Sequence, residues 1–367
     1  MVILMKILFL EGYYGGSHKA FAEGWEKRSR HNIEILSLPA RKWKWRMQAG
    51  AWIFQEFLHR EKITSKPDII FATDMINLAE FLGLTRDIFP RTPAVLYFHE
   101  NQFSYPQRTE EPDFTRAAIN AASALAADRL IFNSDFNRKD FFRHWLSGNR
   151  KMPDHRISEK RIRQMEQNSC VVPVGVDLEF LDRNKRTRTP GAPLVLWNHR
   201  WEHDKGPETF FRVLQKLKDD GSQFRLAVCG ENFSDAPSCF NRAKTTFSKE
   251  TEHFGYLNSR DEYAQILWKS DIAVSCSRQE FLGLSVIEAM WCGCYPLLPN
   301  RLSYPEILPP DLHERHLYNN EKQLNQKLKR LVTGREPERS FPGRSDFLRR
   351  YDWRWVAEIL DDLMDET

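Results

Sequence analysis

Short apolar runs alternate with longer stretches of mixed polarity along most of this chain. Lys6–Leu10, Ile33–Leu38, Asp68–Thr73, Ala94–Phe98 and Arg129–Phe132 are each apolar and closed by polar residues or glycine. Such runs are the mark of buried strands in a parallel sheet with helices on both faces. The first run leads through a Gly-rich loop into a predicted helix from Ser17 to about Lys27, with Ser17 as its N-cap. The alternation stops near Cys170–Asp177, and Arg183–Gly191, basic and containing Pro190, reads as a linker. It restarts with Leu194–Trp197, Phe224–Cys229, His253–Leu257, Ile272–Cys276 and Tyr295–Leu298. Trp353–Leu363 has the spacing of an amphipathic helix, and no strand follows it. The prediction is an α/β protein of two doubly wound, Rossmann-like domains, residues 1–178 and 192–345, followed by a C-terminal helical segment, 346–367, packing back toward the first domain. In such sheets ligands bind beyond the C-terminal strand ends. The loops there are expected to meet around a central cleft.

The second half carries the plainest candidate. In Glu280-Phe-Leu-Gly-Leu-Ser-Val-Ile-Glu288, a strand, a loop and a helix follow one another. Gly283 lets a ligand approach the backbone. The amides of the first helical turn, at Gly283, Leu284 and Ser285, form an anion site. Glu280 ahead of the helix and Glu288 inside it suit a ligand with a phosphate in its middle and hydroxyls at both ends, although an ordinary strand–helix unit with solvated glutamates has the same pattern. Arg200 and Lys205, in the loop after Leu194–Trp197, supply a guanidinium fork and a mobile ammonium for a diphosphate. Cys229-Gly230-Glu231 ends the next strand and edges the same site.

In the first half, Gly12-Tyr-Tyr-Gly-Gly-Ser-His18 places Gly15 and Gly16 where backbone can line a ligand; it is not a dinucleotide fingerprint. His99, Glu100, Asn101 and Gln102 follow a buried strand directly, more polar groups than a turn needs. Arg41, Lys42, Trp43, Lys44, Trp45 and Arg46 interleave cations with indoles, which suits phosphate contact plus base stacking. A second basic stretch, 137–163, contains Arg156; its nine cations against three anions make it more basic than the whole chain at +4. A solvated helix face is the bland alternative there.

The spacing of Arg200, Lys205, Glu280 and Glu288 resembles that of GT-B retaining glycosyltransferases of the family 4 type. That resemblance implies that Arg200 and Lys205 hold the donor diphosphate, Glu280 contacts the donor sugar and Glu288 binds the ribose. Leu282 stands where that family often has phenylalanine. Five further stretches, Glu11–Lys19, Leu38–Arg46, Tyr97–Gln102, Phe132–Ser134 and Pro153–Arg156, resemble the tRNA-queuosine mannosyltransferases. The resemblance covers nearly the whole chain. It implies transfer of mannose from GDP-mannose to the cyclopentenediol of queuosine in the tRNA anticodon. His99, Glu280, Arg200 and Lys205 would form the catalytic centre, and Gly15, Gly16, Gly230, Gly283, Leu284, Ser285 and Glu288 would line the donor site. Ser17, His18, Arg41–Arg46, Glu100–Gln102 and Arg156 would meet the acceptor tRNA. It also implies a same-face displacement, with the diphosphate stabilised by Arg200, Lys205 and the helix N-terminus, and with no cofactor and no metal.

Composition narrows the alternatives. Lys plus Arg is 54 against 50 for Asp plus Glu, so net charge alone does not argue for nucleic acid. The six cysteines form no C-x-x-C pair and read as free thiols in a reducing compartment. No run is long enough to cross a membrane, and Met1–Leu10 lacks a basic lead and a cleavage site, so a soluble cytoplasmic protein is expected. Three other readings remain: a family 4 transferase acting on a lipid or polysaccharide, a non-catalytic RNA- or nucleotide-binding protein, and a GT-B epimerase. The first needs a basic amphipathic helix, the second has no use for four intact donor-site charges, and the third needs further acid–base carboxylates.

Overall fold

The computed structural model describes residues 4–61, 66–105, 114–232, 236–334 and 343–367. Two compact units divide the chain: Met1–Gly175 with Trp353–Thr367, and Val176–Asp352.

The first unit is built on β1 (Lys6–Tyr14), β2 (Asn32–Pro39), β3 (Ile69–Thr73), β4 (Ala94–Phe98), β5 (Arg129–Phe132) and β6 (Cys170–Val171), in the order β2-β1-β3-β4-β5-β6. Every pairing is parallel. β3 and β4 are buried along their whole length, as strands covered on both faces must be. Leu10, Ala72, Leu96 and Phe132 share one core with Phe54, Phe81 and Phe141 from the covering helices. The strand order reverses between β1 and β3, so the C-terminal ends of those strands are the switch point where an open sheet binds ligands.

The second unit repeats the plan with β7 (Leu194–Asn198), β8 (Arg225–Cys229), β9 (Thr251–Gly255), β10 (Ile272–Val274), β11 (Tyr295–Pro299) and β12 (Leu317–Tyr318), in the order β12-β11-β10-β7-β8-β9. Its switch point lies between β7 and β10. β12, two residues long, is too short to leave a run in the sequence.

Three expectations need correction. Ser17 is not an N-cap: the helix Gly16–Glu26 starts before it and is capped at Gly15, without a side-chain hydrogen bond. Gly16 turns the chain at φ +53°, a conformation that favours glycine. The stretch read as a linker belongs to the second unit. Leu178–Arg183 is a helix capped by Asp177, Trp268 Nε1 donates to the Leu181 carbonyl at 2.7 Å, and Trp291 Nε1 donates to Asp182 at 2.9 Å. Residues 346–352 also fall in that unit, and the helix Trp353–Asp365 belongs to the first. Trp353 occupies the space a Cβ would need at Gly24 and at Gly175, 2.3 and 2.2 Å away. Asp361 accepts from Trp25 Nε1 at 2.7 Å and from the Arg30 amide at 2.8 Å. All six cysteines are free and five are buried.

Candidate functional site

In the second unit, two loops meet at the switch point. The loop after β7 carries Arg200 and ends in a 3-10 turn, His203–Lys205, closed by Gly206 at φ +67°. A Cβ on Gly206 would lie 2.5 Å from the Cys276 carbonyl, so glycine is what lets this loop close on the one after β10. The Arg278 amide donates to the Asp204 carbonyl at 2.6 Å and fastens the two. Lys205 is buried; its Nζ donates to the Gln279 carbonyl at 2.8 Å and lies 3.5 Å from Glu280 Oε2 and 3.3 Å from Asp204. Glu280 Oε1 accepts from the Gly283 amide at 3.1 Å. Burial opposes ionisation of Glu280, but Lys205 and the Gly283 and Leu282 amides outweigh it, and its pKa lies below the usual carboxylate value.

The helix Leu284–Trp291 opens at Gly283, φ +89°. Its first-turn amides, including those of Leu284 and Ser285, have no intrahelical acceptor. Val286, Ile287, Ala289 and Met290 are its buried positions, while Leu284 is only half-buried beside the loop. Glu288 differs from Glu280. Tyr263 Oη donates to its Oε2 at 2.5 Å, Asn198 Nδ2 donates to Tyr263 Oη at 2.8 Å, and burial holds the Glu288 carboxyl above its ordinary value. Asn198 stands at the head of the motif that carries Arg200 and closes β7, whereas Tyr263 is one aromatic in a helix that carries no motif. Arg200 is half-exposed and lies 3.2 Å from Glu202. Gly230 is a packing position: a Cβ there would stand 1.8 Å from the His199 carbonyl, under the loop that carries Arg200.

In the first unit, β1, the helix Gly16–Glu26 and the loops after β3 and β4 bring together Glu11, His18, Asp74 and His99. Glu11, fully buried, accepts from the Tyr13 amide at 2.8 Å and meets His18 Nδ1 at 3.2 Å. The His18 and His99 rings lie 4.1 Å apart, and Phe21 and Tyr97 wall in His99 at 5.0 and 4.8 Å. Burial disfavours the His18 imidazolium, but the Glu11 carboxylate outweighs it and pushes the pKa up to about 9. Burial, with the His18 charge added, holds His99 well below its ordinary value, and burial raises Asp74. His99 Nε2 and Asp74 Oδ2 are buried with no protein partner. Glu11, His18 and His99 offer ligand atoms within 4.8 Å of one another, a set able to hold a metal ion.

The remaining polar residues after β4 turn inward. Asn101 is fully buried and its amide donates to Asn137 and Asp140, while its oxygen accepts from the Phe103 and Ser104 amides. Gln102 donates to Glu100 at 3.0 Å. Asn101 therefore shapes the loop rather than facing outward. The helix Trp43–Arg60 starts within Arg41–Arg46, after Lys42 in the left-handed region at φ +55°. Trp45 and Trp52 are about half-exposed, and their rings meet edge-on at 6.2 Å. Arg116 and Lys44 cover Trp43 at 5.4 and 5.7 Å. Ser17 and Arg156 are exposed.

Residues 6–176 match the model of the N-terminal domain of tRNA-queuosine alpha-mannosyltransferase, and residues 179–342 match glycosyl transferases group 1. A tRNA-queuosine alpha-mannosyltransferase of Drosophila melanogaster is 35% identical over 88% of this chain and 85% of its own length. The chain belongs to the tRNA-queuosine alpha-mannosyltransferase family. A GDP-mannose:cellobiosyl-diphosphopolyprenol alpha-mannosyltransferase of Xanthomonas campestris is more distant, 24% identical over 60% of this chain and 52% of its own. Among solved structures, Anabaena HepE in complex with UDP superposes with a TM-score of 0.69 at 15% identity, covering 99% of this chain and all of the other. Sucrose-phosphate synthase from Thermosynechococcus elongatus gives 0.71 at 15% identity, covering 98% of each. The fold is GT-B, with two Rossmann-like units of six parallel strands each. No helix among the described residues is long and apolar enough to cross a membrane.

Proposed function

We propose that this enzyme transfers mannose from GDP-mannose to the cyclopentenediol of queuosine in tRNA. The observation that carries the acceptor is the family match across the first unit, residues 6–176, where the Drosophila relative also aligns. The donor half rests on the buried Lys205 paired with the half-buried Glu280 beside the first turn of the helix Leu284–Trp291.

In this reading the diphosphate lies at Leu284 and Ser285, within reach of Arg200 and Lys205. Glu280, kept ionised, orients sugar hydroxyls, and Glu288, placed by Tyr263, binds the ribose. The bond from the anomeric carbon to the diphosphate oxygen breaks as the bond to the acceptor oxygen forms. The hydroxyl proton passes to the departing diphosphate on the same face. Fixed charges aimed at the leaving group do most of the work, so transfer is expected to persist in a chelator. The exposed indoles Trp45 and Trp52, with Lys42 and Lys44, fit RNA bases and phosphates.

The test incubates the protein with several nucleotide sugars and queuosine-containing tRNA, followed by mass spectrometry of the nucleosides. A hexose on queuosine, obtained with GDP-mannose, is expected. No hexose on queuosine with any donor would refute the acceptor, and a preference for another nucleotide sugar would refute the donor.

A further inference from the structure

We propose that Glu11 and His18 act together to read the vicinal diol of the acceptor nucleoside, Glu11 as a positioning residue and His18 as the residue whose Nε2 meets the diol. The inference rests on the transfer to queuosine proposed above. Both Glu11 oxygens are engaged, one by the Tyr13 amide and one by His18 Nδ1, so this fully buried carboxylate has no oxygen left to offer a ligand freely. It instead fixes the orientation of the His18 ring. With Nδ1 turned to Glu11, Nε2 is the ring nitrogen that remains to hydrogen-bond a ligand.

Beside His18 stand two buried polar atoms with no protein partner, His99 Nε2 and Asp74 Oδ2. Buried polar atoms are nearly always satisfied, and such exceptions gather where ligands bind. A vicinal diol carries two adjacent hydroxyls, each both donor and acceptor. It therefore matches one fixed imidazole nitrogen next to two groups that need partners. The groups facing His18 are Glu11 from β1, Asp74 from the loop after β3, and His99 and Glu100 from the loop after β4.

The place also fits an acceptor. Tyr14 pairs with Pro39, and a Cβ on Gly15 would meet the Ala40 side chain at 2.3 Å. The loop leading to His18 thus abuts the residue before the cation–indole stretch Arg41–Arg46.

The experiment measures affinity for two tRNAs that differ only in carrying queuosine or guanine at the modified position, and, separately, for GDP-mannose and GDP. Wild type is expected to favour the queuosine tRNA by tenfold or more, as a site built to bond hydroxyls does against an analogue lacking them. His18→Gln and Glu11→Gln are each expected to erase that preference, leaving guanine-tRNA and GDP affinities within about twofold; those two affinities also report that the variants are folded. Glu11→Asp is expected to restore part of it. A preference that survives in both variants overturns the proposal. Loss of the GDP-mannose over GDP preference instead would move the cluster to the donor sugar and overturn it. Loss of the queuosine preference in chelator-treated wild type would make Glu11, His18 and His99 a metal site and would overturn it equally. If wild type places no hexose on queuosine, the underlying reading fails by a separate measurement.

Discussion

The two switch points hold their charged groups in opposite ways. In the second unit, the buried Lys205 meets Glu280 and Asp204, and Glu280 also takes the Gly283 amide, so each charge has a fixed partner. In the first unit, Glu11 raises His18 to about 9 while His99 and Asp74 each keep a buried atom without a protein partner. A site for a highly charged diphosphate must be complete before the ligand arrives, because reorganising charges during reaction costs rate. A site for neutral hydroxyls can leave partners to the ligand. The difference matches the proposed division, with charge handling in the second unit and hydroxyl reading in the first.

The strongest way to break that division is Lys205→Met. It leaves the half-buried Glu280 beside a neutral chain and removes the proposed diphosphate contact. Losing one preorganised group aimed at developing charge costs about 10²–10³ in turnover, so turnover should fall by that factor while tRNA affinity stays near wild type; the fold should also lose stability. Equal losses in both would show that the two sites are not separate. Arg200→Ala is the milder companion. The side chain is half-exposed, so the fold should be untouched, and loss of one preorganised donor costs about 3–4 kcal/mol in turnover. Near-wild-type transfer would remove Arg200 from the donor site.

Acidity separates the units next. The His18 pKa is raised from 6.5 to about 9, so its contribution to stability is complete below pH 6.5 and is lost as pH rises through 9. The shift corresponds to about 3 kcal/mol. Glu280 has a lowered pKa, so its contribution is lost in the other direction, as pH falls below the usual carboxylate range. Denaturant unfolding of wild type and His18→Gln between pH 6 and 10 reads the difference. Wild type should lose about 3 kcal/mol more than the variant over that interval; parallel curves would show that His18 is not held as an imidazolium.

The strands were legible because a strand buried on both faces writes a continuous apolar run, as Ala94–Phe98 does. The GT-B fold and the family followed from the resemblance of the motifs in both halves to known enzymes. Lys205 and Glu280 were legible too, since each lies in a short motif at a strand end. Their meeting at 3.5 Å follows from β7 and β10 being sheet neighbours. Tyr263 was not legible, because only the fold brings its helix to Glu288. Asp74 was hidden for the same reason: nothing beside it in the chain points to His99, whose amide it accepts at 2.8 Å. Asn101 misled in the other direction. A polar residue after a strand reads alike whether it faces a ligand or braces its own loop, and Asn101 braces.

The smallest expected effect concerns the cation–indole helix. Lys42 and Lys44 are exposed at its start, while Arg46 is half-buried with an unpartnered Nε, so the three cations are not equivalent. Replacing Lys42, Lys44 and Arg46 with alanine should weaken tRNA binding by about 1–2 kcal/mol at moderate salt. It should also flatten the dependence of log affinity on log salt by about 2, since each phosphate contact contributes about 0.7–0.9 to that slope. Trp45→Ala should weaken binding with the slope unchanged, because stacking on an indole releases no counterions. Filter binding across a salt series distinguishes the two. An unchanged slope in the triple variant would remove this helix from the RNA surface, and turnover with saturating tRNA should stay near wild type if its role is docking alone.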